Sequence, residues 1–149
     1  MKQGLYCIFF YGLIIAGCNS TAGKSAKLEA IIKDSSEYTT IQWVDSAVDF
    51  GTAKMGETVN IVFRCRNTGN KALYLYEVRP GCGCTVADYT KTPIAPGKEG
   101  EINARFDTKK SHPGMVNKTI YFSANNSNEV TSYLKFSGTI LPVDSLQNK

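Results

Sequence analysis

The sequence predicts an all-β domain, an antiparallel sandwich of seven strands, and three observations predict it. Between Ile41 and Ile140 short runs alternate apolar and polar residues, the two-residue period of a strand half buried against a core. Clusters of Gly, Pro and Asn separate these runs at the spacing of an antiparallel sandwich. The same stretch has no helical periodicity and is rich in Tyr, Phe, Val and Thr, which suit a pleated surface. At 149 residues the chain has room for one ordinary domain, and 42% hydrophobic with 20% charged residues is a globular composition. The formal charge of +4 includes Lys2, and the other Lys and Arg are dispersed among acids. No basic stripe forms, so no nucleic-acid partner is expected.

The chain opens on a targeting segment. Met1-Lys2 is a minimal positive start, and Leu5 to Ala16 is an apolar run shorter than the about 20 residues of a membrane-spanning helix. It reads as a secretory h-region, and Cys7 leaves with it. Ile15-Ala16-Gly17-Cys18 resembles the bacterial lipobox, in which cleavage precedes the Cys and its thiol carries diacylglycerol. That resemblance implies a signal peptide over residues 1–17 and a lipid anchor on Cys18, whose acyl chains bury their CH₂ groups in a membrane. Asn19-Ser20-Thr21 carries no acid beside the Cys, which resembles the pattern for release to the outer membrane, and no acidic run follows as a surface-export tag would. The expected location is the cell envelope, on the periplasmic face of the outer membrane. Residues 18–40 are small and polar, as a tether should be. Within them Leu28, Ile31 and Ile32 stand at helical spacing, so Ala26 to Asp34 is expected either to rest on the domain as a short amphipathic turn or to stay disordered.

The sandwich occupies residues 41–142, with a tail over 143–149. Ile41 to Phe50 is the first strand, broken near Asp45-Ser46, and Gly51 to Gly56 is a connection. Glu57 to Arg66 is the second, with Val59, Ile61, Phe63 and Cys65 on one face and Asn60, Arg64 and Arg66 on the other. Asn67-Thr68-Gly69-Asn70 can supply the positive-φ positions of a tight turn. Ala72 to Val78 is the third strand, and Pro80-Gly81 stops it. Thr85 to Tyr89 is a short edge piece, and Thr92 to Gly97 is a loop. Glu101 to Asp107 points Ile102, Ala104 and Phe106 inward. Lys109 to Gly114 turns the chain, and Val116 to Ala124 places Val116, Ile120, Phe122 and Ala124 on one face. After a turn at Asn125 to Asn128, Val130 to Ile140 points Leu134, Phe136 and Ile140 inward.

A true immunoglobulin domain carries Cys, Trp, Cys in that order, with a bridge between its second and sixth strands. Here Trp43 precedes Cys65 and the sixth strand has no Cys, so the core stands on apolar burial. Phe50-Gly51, Gly56-Glu57, Asn67-Thr68-Gly69, Cys82-Gly83-Cys84-Thr85, Ile94-Ala95-Pro96-Gly97, Phe106-Asp107-Thr108 and Gly138 fall in one order. Over roughly Val44 to Leu141 this resembles the bacterial domain of unknown function 1573 family. These are exported Ig-like domains, related in shape to major sperm protein and PapD-like folds. The resemblance implies an Ig-like sandwich and an exported setting, and it implies no activity.

Two groups of residues remain as candidate sites. Cys65, Cys82 and Cys84 are an odd number of thiols in an oxidising compartment, so at least one has no partner within the chain unless a metal or another molecule takes it. Four readings stay open. Cys82 and Cys84 form a small, reducible, redox-active ring. Cys65 pairs with either of them. Cys82 and Cys84 bind Cu(I) or Zn with His112, Met55 or Met115. Or Cys82-Gly83-Cys84 is a structural corner. Two Cys and one His are too few for a closed zinc site, so no metal and no cofactor is expected. The second group is Tyr74, Tyr76, Tyr121 and Tyr133. With the third, sixth and seventh strands in one sheet, all four converge on its outer face beside Lys135. They either bind a partner, stabilise the sheet by cross-strand pairing, or lie under Leu28, Ile31 and Ile32. Serine-nucleophile arrangements, paired carboxylates and phosphate-cradling loops are missing from the pattern, and His112 sits in a polar turn. Asn117-Lys118-Thr119 fits a eukaryotic glycosylation acceptor, which the lipobox discounts. The expectation is a non-catalytic envelope module that binds a protein or glycan, with redox or metal handling at Cys82 and Cys84 as the alternative.

Overall fold

Two four-stranded sheets face each other in the computed structural model, which describes residues 20–128 and 132–143. The signal segment, Cys18, Val130 and the end of the tail lie outside the described residues. The strands are β1 (Ile41–Trp43), β2 (Ala47–Lys54), β3 (Thr58–Asn67), β4 (Leu75–Pro80), β5 (Thr85–Tyr89), β6 (Glu99–Asp107), β7 (Gly114–Ala124) and β8 (Tyr133–Leu141). One sheet has the order β1-β3-β6-β5 and the other β2-β8-β7-β4. The Ig-like all-β sandwich is therefore present, with eight strands where seven are expected.

The extra strand comes from the break near Asp45-Ser46. Ile41–Trp43 pairs antiparallel with β3, and after the break Ala47–Lys54 joins the opposite sheet beside β8. The chain crosses without reversing, so β2 runs parallel to β8, the one parallel pair in the described ladders. Asp45 holds the crossing by accepting from Arg64 Nε at 2.7 Å. The connection expected at Gly51 to Gly56 is instead mostly strand. Gly51 (φ 71°) sits where the β2–β8 register shifts and donates its N–H to Asp49 Oδ1 at 2.8 Å, so it makes a bulge and does not end the strand. β4 starts at Leu75, later than Ala72, and runs to Pro80.

β3 and β6 alternate as the pattern predicts. Ile61, Phe63 and Cys65 of β3 and Ile102, Ala104 and Phe106 of β6 are all buried. Phe106 meets Phe136 across the sheets with ring centroids 5.6 Å apart. Phe50 closes one side of this cluster by lying on Gly138, where any Cβ would run into its ring. At Asn67–Asn70 no residue adopts a positive φ, which corrects the expectation for that turn. Gly69 is needed there for close approach, because a Cβ would strike the Thr39 hydroxyl and the Thr40 backbone.

Asn67 is fully buried, and its side chain is saturated. Oδ1 accepts from Thr39 Oγ1 (2.9 Å) and Gly69 N (3.1 Å), and Nδ2 donates to Lys71 O (2.7 Å) and Ile94 O (2.8 Å). Asn125 donates to Glu37 O and Ala72 O and accepts from Tyr74 N. Asn128 takes both backbone groups of Ile41. Three asparagines thus fasten the segment from Glu37 to Ile41 to the sandwich, because buried backbone groups must be paired. Ahead of that segment stands α1 (Ser20–Lys33). Ile31 is buried, Leu28 and Ile32 are half-buried, and Tyr38 Oη donates to Ile32 O at 3.1 Å, so the helical alternative for Ala26 to Asp34 is the one observed.

Candidate functional site: an aromatic face, a groove and a disulfide corner

The third, sixth and seventh predicted strands are β4, β7 and β8, and they share a sheet. Tyr121 stands opposite Tyr133 in the β7–β8 register, with ring centroids 6.5 Å apart and edge to face. Both rings face outward, 51% and 40% exposed, and Lys135 Nζ lies 5.2 Å from the Tyr133 ring. The Arg79–Glu77 ion pair (3.1 Å) borders them on β4.

The structure does not bring Tyr74 and Tyr76 to this pair. The β4–β7 register shifts between Leu75 and Glu77, so Tyr76 is the extra residue of a bulge and the inward set passes from Leu75 to Val78. Tyr76 is half-buried, and burial pushes its phenol upward with Tyr38 adding to the shift. Tyr74 precedes β4 and lines a hollow of about 330 Å³ with Leu28, Ile31 and Pro93, between Lys27 and Lys91. The four tyrosines form an exposed pair and a half-covered pair.

Beside the exposed pair the sheet switch opens a groove of about 810 Å³, lined by Ile41, Trp43, Ser46, Asn128, Tyr133 and Lys135. Tyr133 belongs to both features. Trp43 packs edge-on against Phe122 at 4.9 Å, and its Nε1 is buried with no hydrogen-bond partner among the described residues. Sequence reasoning missed this groove. The signal for it was the break at Asp45-Ser46, which marks where β1 parts from β2 but does not say that they part into different sheets.

At the opposite edge the chain passes from β4 to β5 through Gly81-Cys82-Gly83-Cys84. Cys82 and Cys84 are disulfide-bonded, with Cα atoms 5.3 Å apart. Thr85 Oγ1 lies 3.7 Å from Cys82 Sγ and 3.9 Å from Cys84 Sγ. In this form neither sulfur is a thiolate that a metal could take. His112 is exposed on its turn, Met115 is 85% exposed, and Met55 is half-buried. Among the described residues no group of three or more His, Cys, Asp or Glu stands placed to hold a metal ion.

Cys65 is a free thiol, fully buried, and burial pushes it up to about 11. It pairs with Gly100, whereas Cys84 O accepts from Asp107 N. Gly100 and Asp107 lie at opposite ends of β6, roughly 20 Å apart. The pairing of Cys65 with either corner cysteine is corrected on this ground, since bridged Cα atoms lie within about 7 Å.

Residues 41–140 match the family described as "Protein of unknown function (DUF1573)". The chain belongs to that family. Among solved structures it is similar to a protein of unknown function from Porphyromonas gingivalis W83, at TM-score 0.62 and 19% identity. That match covers 71% of this chain and 49% of the other, so this chain spans about half of the Porphyromonas protein. It is also similar to the ASH/PapD-like domain 7 of human CEP192, at TM-score 0.54 and 12% identity over 72% of this chain and 89% of that one. At these identities the likeness shows a PapD-like, Ig-like fold. No curated protein matches the chain.

Proposed function

We propose that this protein is a non-catalytic binding module of the bacterial cell envelope, tethered by lipid on Cys18 to the periplasmic face of the outer membrane. It captures a protein or glycan partner on the face where Tyr121, Tyr133 and Lys135 meet the groove beside Trp43. The observation that carries this reading is the continuity of the exposed tyrosine pair with that groove through Tyr133. Tyr rings offer large rigid contact area with a hydroxyl that tolerates water, which suits a surface that is sometimes wet and sometimes covered. The tether reading is supported by the small residues before Cys18 and by α1, which starts two residues after it and rests on the domain through Ile31.

The test uses the full lipidated chain. Partner cross-linked in intact envelopes should be lost on Tyr121→Ser with Tyr133→Ser while the folded fraction is unchanged, and undiminished capture would sink the face. Cys18→Ser should abolish fatty-acid labelling and leave an unprocessed or soluble form, and persistent labelling rules out the anchor. The Cys82–Cys84 disulfide favours a second reading, a redox protein working through that pair.

A further inference from the structure

We infer that the Cys82–Cys84 corner is a thiol–disulfide exchange site for small anionic thiols, attacked at Cys82 with Cys84 as the leaving group; this rests on the redox reading above. Three observations assign the roles. Cys84 is 6% exposed and belongs to the core cluster, whereas Cys82 packs against that cluster and is only half-buried, so Cys82 is the more accessible of the two to an incoming thiolate. Gly83 between them is exposed, and a Cβ there would meet nothing within 4 Å, so the ring's outer side is uncovered. Beside Cys84 opens a hollow of about 210 Å³, lined also by Thr58, Gly83, Arg105, Asp107 and Lys110. Two cations against one carboxylate make it a net positive site. Negative charge in the exchange transition state is shared between the attacking and the leaving sulfur, and the cations beside Cys84 stabilise the leaving one. The Thr85 hydroxyl, close to both sulfurs, can donate to the leaving one.

A thiolate RS⁻ attacks Cys82 Sγ, and the new S–S bond forms as the Cys82–Cys84 bond breaks. The electron pair of the broken bond stays on Cys84 Sγ, which takes a proton from solvent. A second RS⁻ attacks the R-side sulfur of the mixed disulfide, forming RS–SR and releasing Cys82 as a thiolate that is protonated in turn. Two thiols become one disulfide, and their two electrons and two protons reside on Cys82 and Cys84. The preference for anionic thiols comes from the positive field of Arg105 and Lys110, which draws them to the corner without holding them at Cys82.

The experiment incubates the oxidised full chain with glutathione, quenches by alkylation and maps each cysteine by mass spectrometry. Glutathione should appear on Cys82 with Cys84 alkylated, and buried Cys65 should stay unmodified as an internal control. After correction for thiol pKa, since a less acidic thiol gives the more nucleophilic thiolate, mercaptopropionate should react faster per thiolate than cysteamine at low salt. Lys110→Ala and Arg105→Ala should each slow glutathione exchange about two- to fivefold at low salt, and the difference should vanish near about 1 M salt, where surface charges are screened. A phosphine reductant separates the two levels of failure. If phosphine cannot open the pair in the folded protein, the redox reading falls and the inference with it. If phosphine opens it but glutathione lands on Cys84, or cysteamine matches mercaptopropionate after correction for thiol pKa, the redox reading survives and this assignment is overturned.

Discussion

The polypeptide crosses between the two sheets at both edges of the sandwich, and it secures the two crossings by different means. Between β1 and β2, at Val44–Ser46, the hold is polar: the Asp45–Arg64 pair clips the crossing, and Asn67, Asn125 and Asn128 fasten the chain that leads into it. Between β4 and β5 the hold is covalent, a disulfide spanning a single residue. The polar crossing leaves the groove beside Trp43 and Tyr133, and the covalent one leaves Cys82 half-buried beside a buried Cys84. A covalent bond need not mark the more stabilising fastening. A disulfide contributes through the loop it closes, and this loop is nearly as short as one can be. A buried asparagine with four partners leaves several groups unsatisfied when it is removed.

The polar fastening fails most readily at Asn67. Asn67→Ala should lower unfolding stability by about 3–5 kcal/mol, because donors on Thr39 and Gly69 and the Lys71 carbonyl lose a partner in a buried site, while the Ile94 carbonyl keeps only Leu73 N. Urea denaturation monitored by Trp43 fluorescence measures it. A loss under about 1 kcal/mol would mean that water replaces the side chain and that the polar fastening is weak.

The covalent crossing should show a smaller effect. Cys82→Ala with Cys84→Ala should cost less than about 2 kcal/mol, the scale set by closing so short a loop. The same urea titration on the double variant, with the parent oxidised, reads the difference. A cost equal to that of Asn67→Ala would reverse the ranking and make the disulfide the main structural fastening of its edge.

How far these features could be read from the chain depends on whether they are local. β3, β6, β7 and β8 were legible because each places apolar residues on one side of a pleat, and Phe63, Ile102, Ile120 and Phe136 are all buried. The sheet switch was half legible. Asp45-Ser46 interrupts the alternation, but the choice of sheet for Ala47 is made by β8, about ninety residues away. The bulge at Tyr76 was hidden, since one inserted residue leaves an unbroken β run and changes only which residues face inward. Asn67, Asn125 and Asn128 read as ordinary turn residues because their partners are backbone groups distant in sequence. The thiols left four readings open until register placed Cys65 and Cys84 at opposite ends of β6.

The smallest effect belongs to the clip itself, and its pH dependence gives it a signature. Hydrogen bonding from Arg64, with the guanidinium charge adding to it, holds the Asp45 carboxyl below its ordinary value of 3.8. A carboxyl with a depressed folded-state pKa stabilises the fold above its unfolded pKa, and that contribution fades as pH falls through the folded value. The pair is exposed to solvent, with side chains 55% and 28% accessible, so screening keeps the effect slight. Parent and Asp45→Asn should therefore differ a little in urea midpoint near neutral pH and converge below pH 3.8, with added salt narrowing the gap. In an Arg64→Met background the Asp45→Asn substitution should leave the midpoint nearly unchanged across the same range. A gap that persists at low pH would show that Asp45 acts at the crossing through its neutral hydrogen bonds. The β1–β2 fastening would then rest on shape and backbone pairing more than on charge.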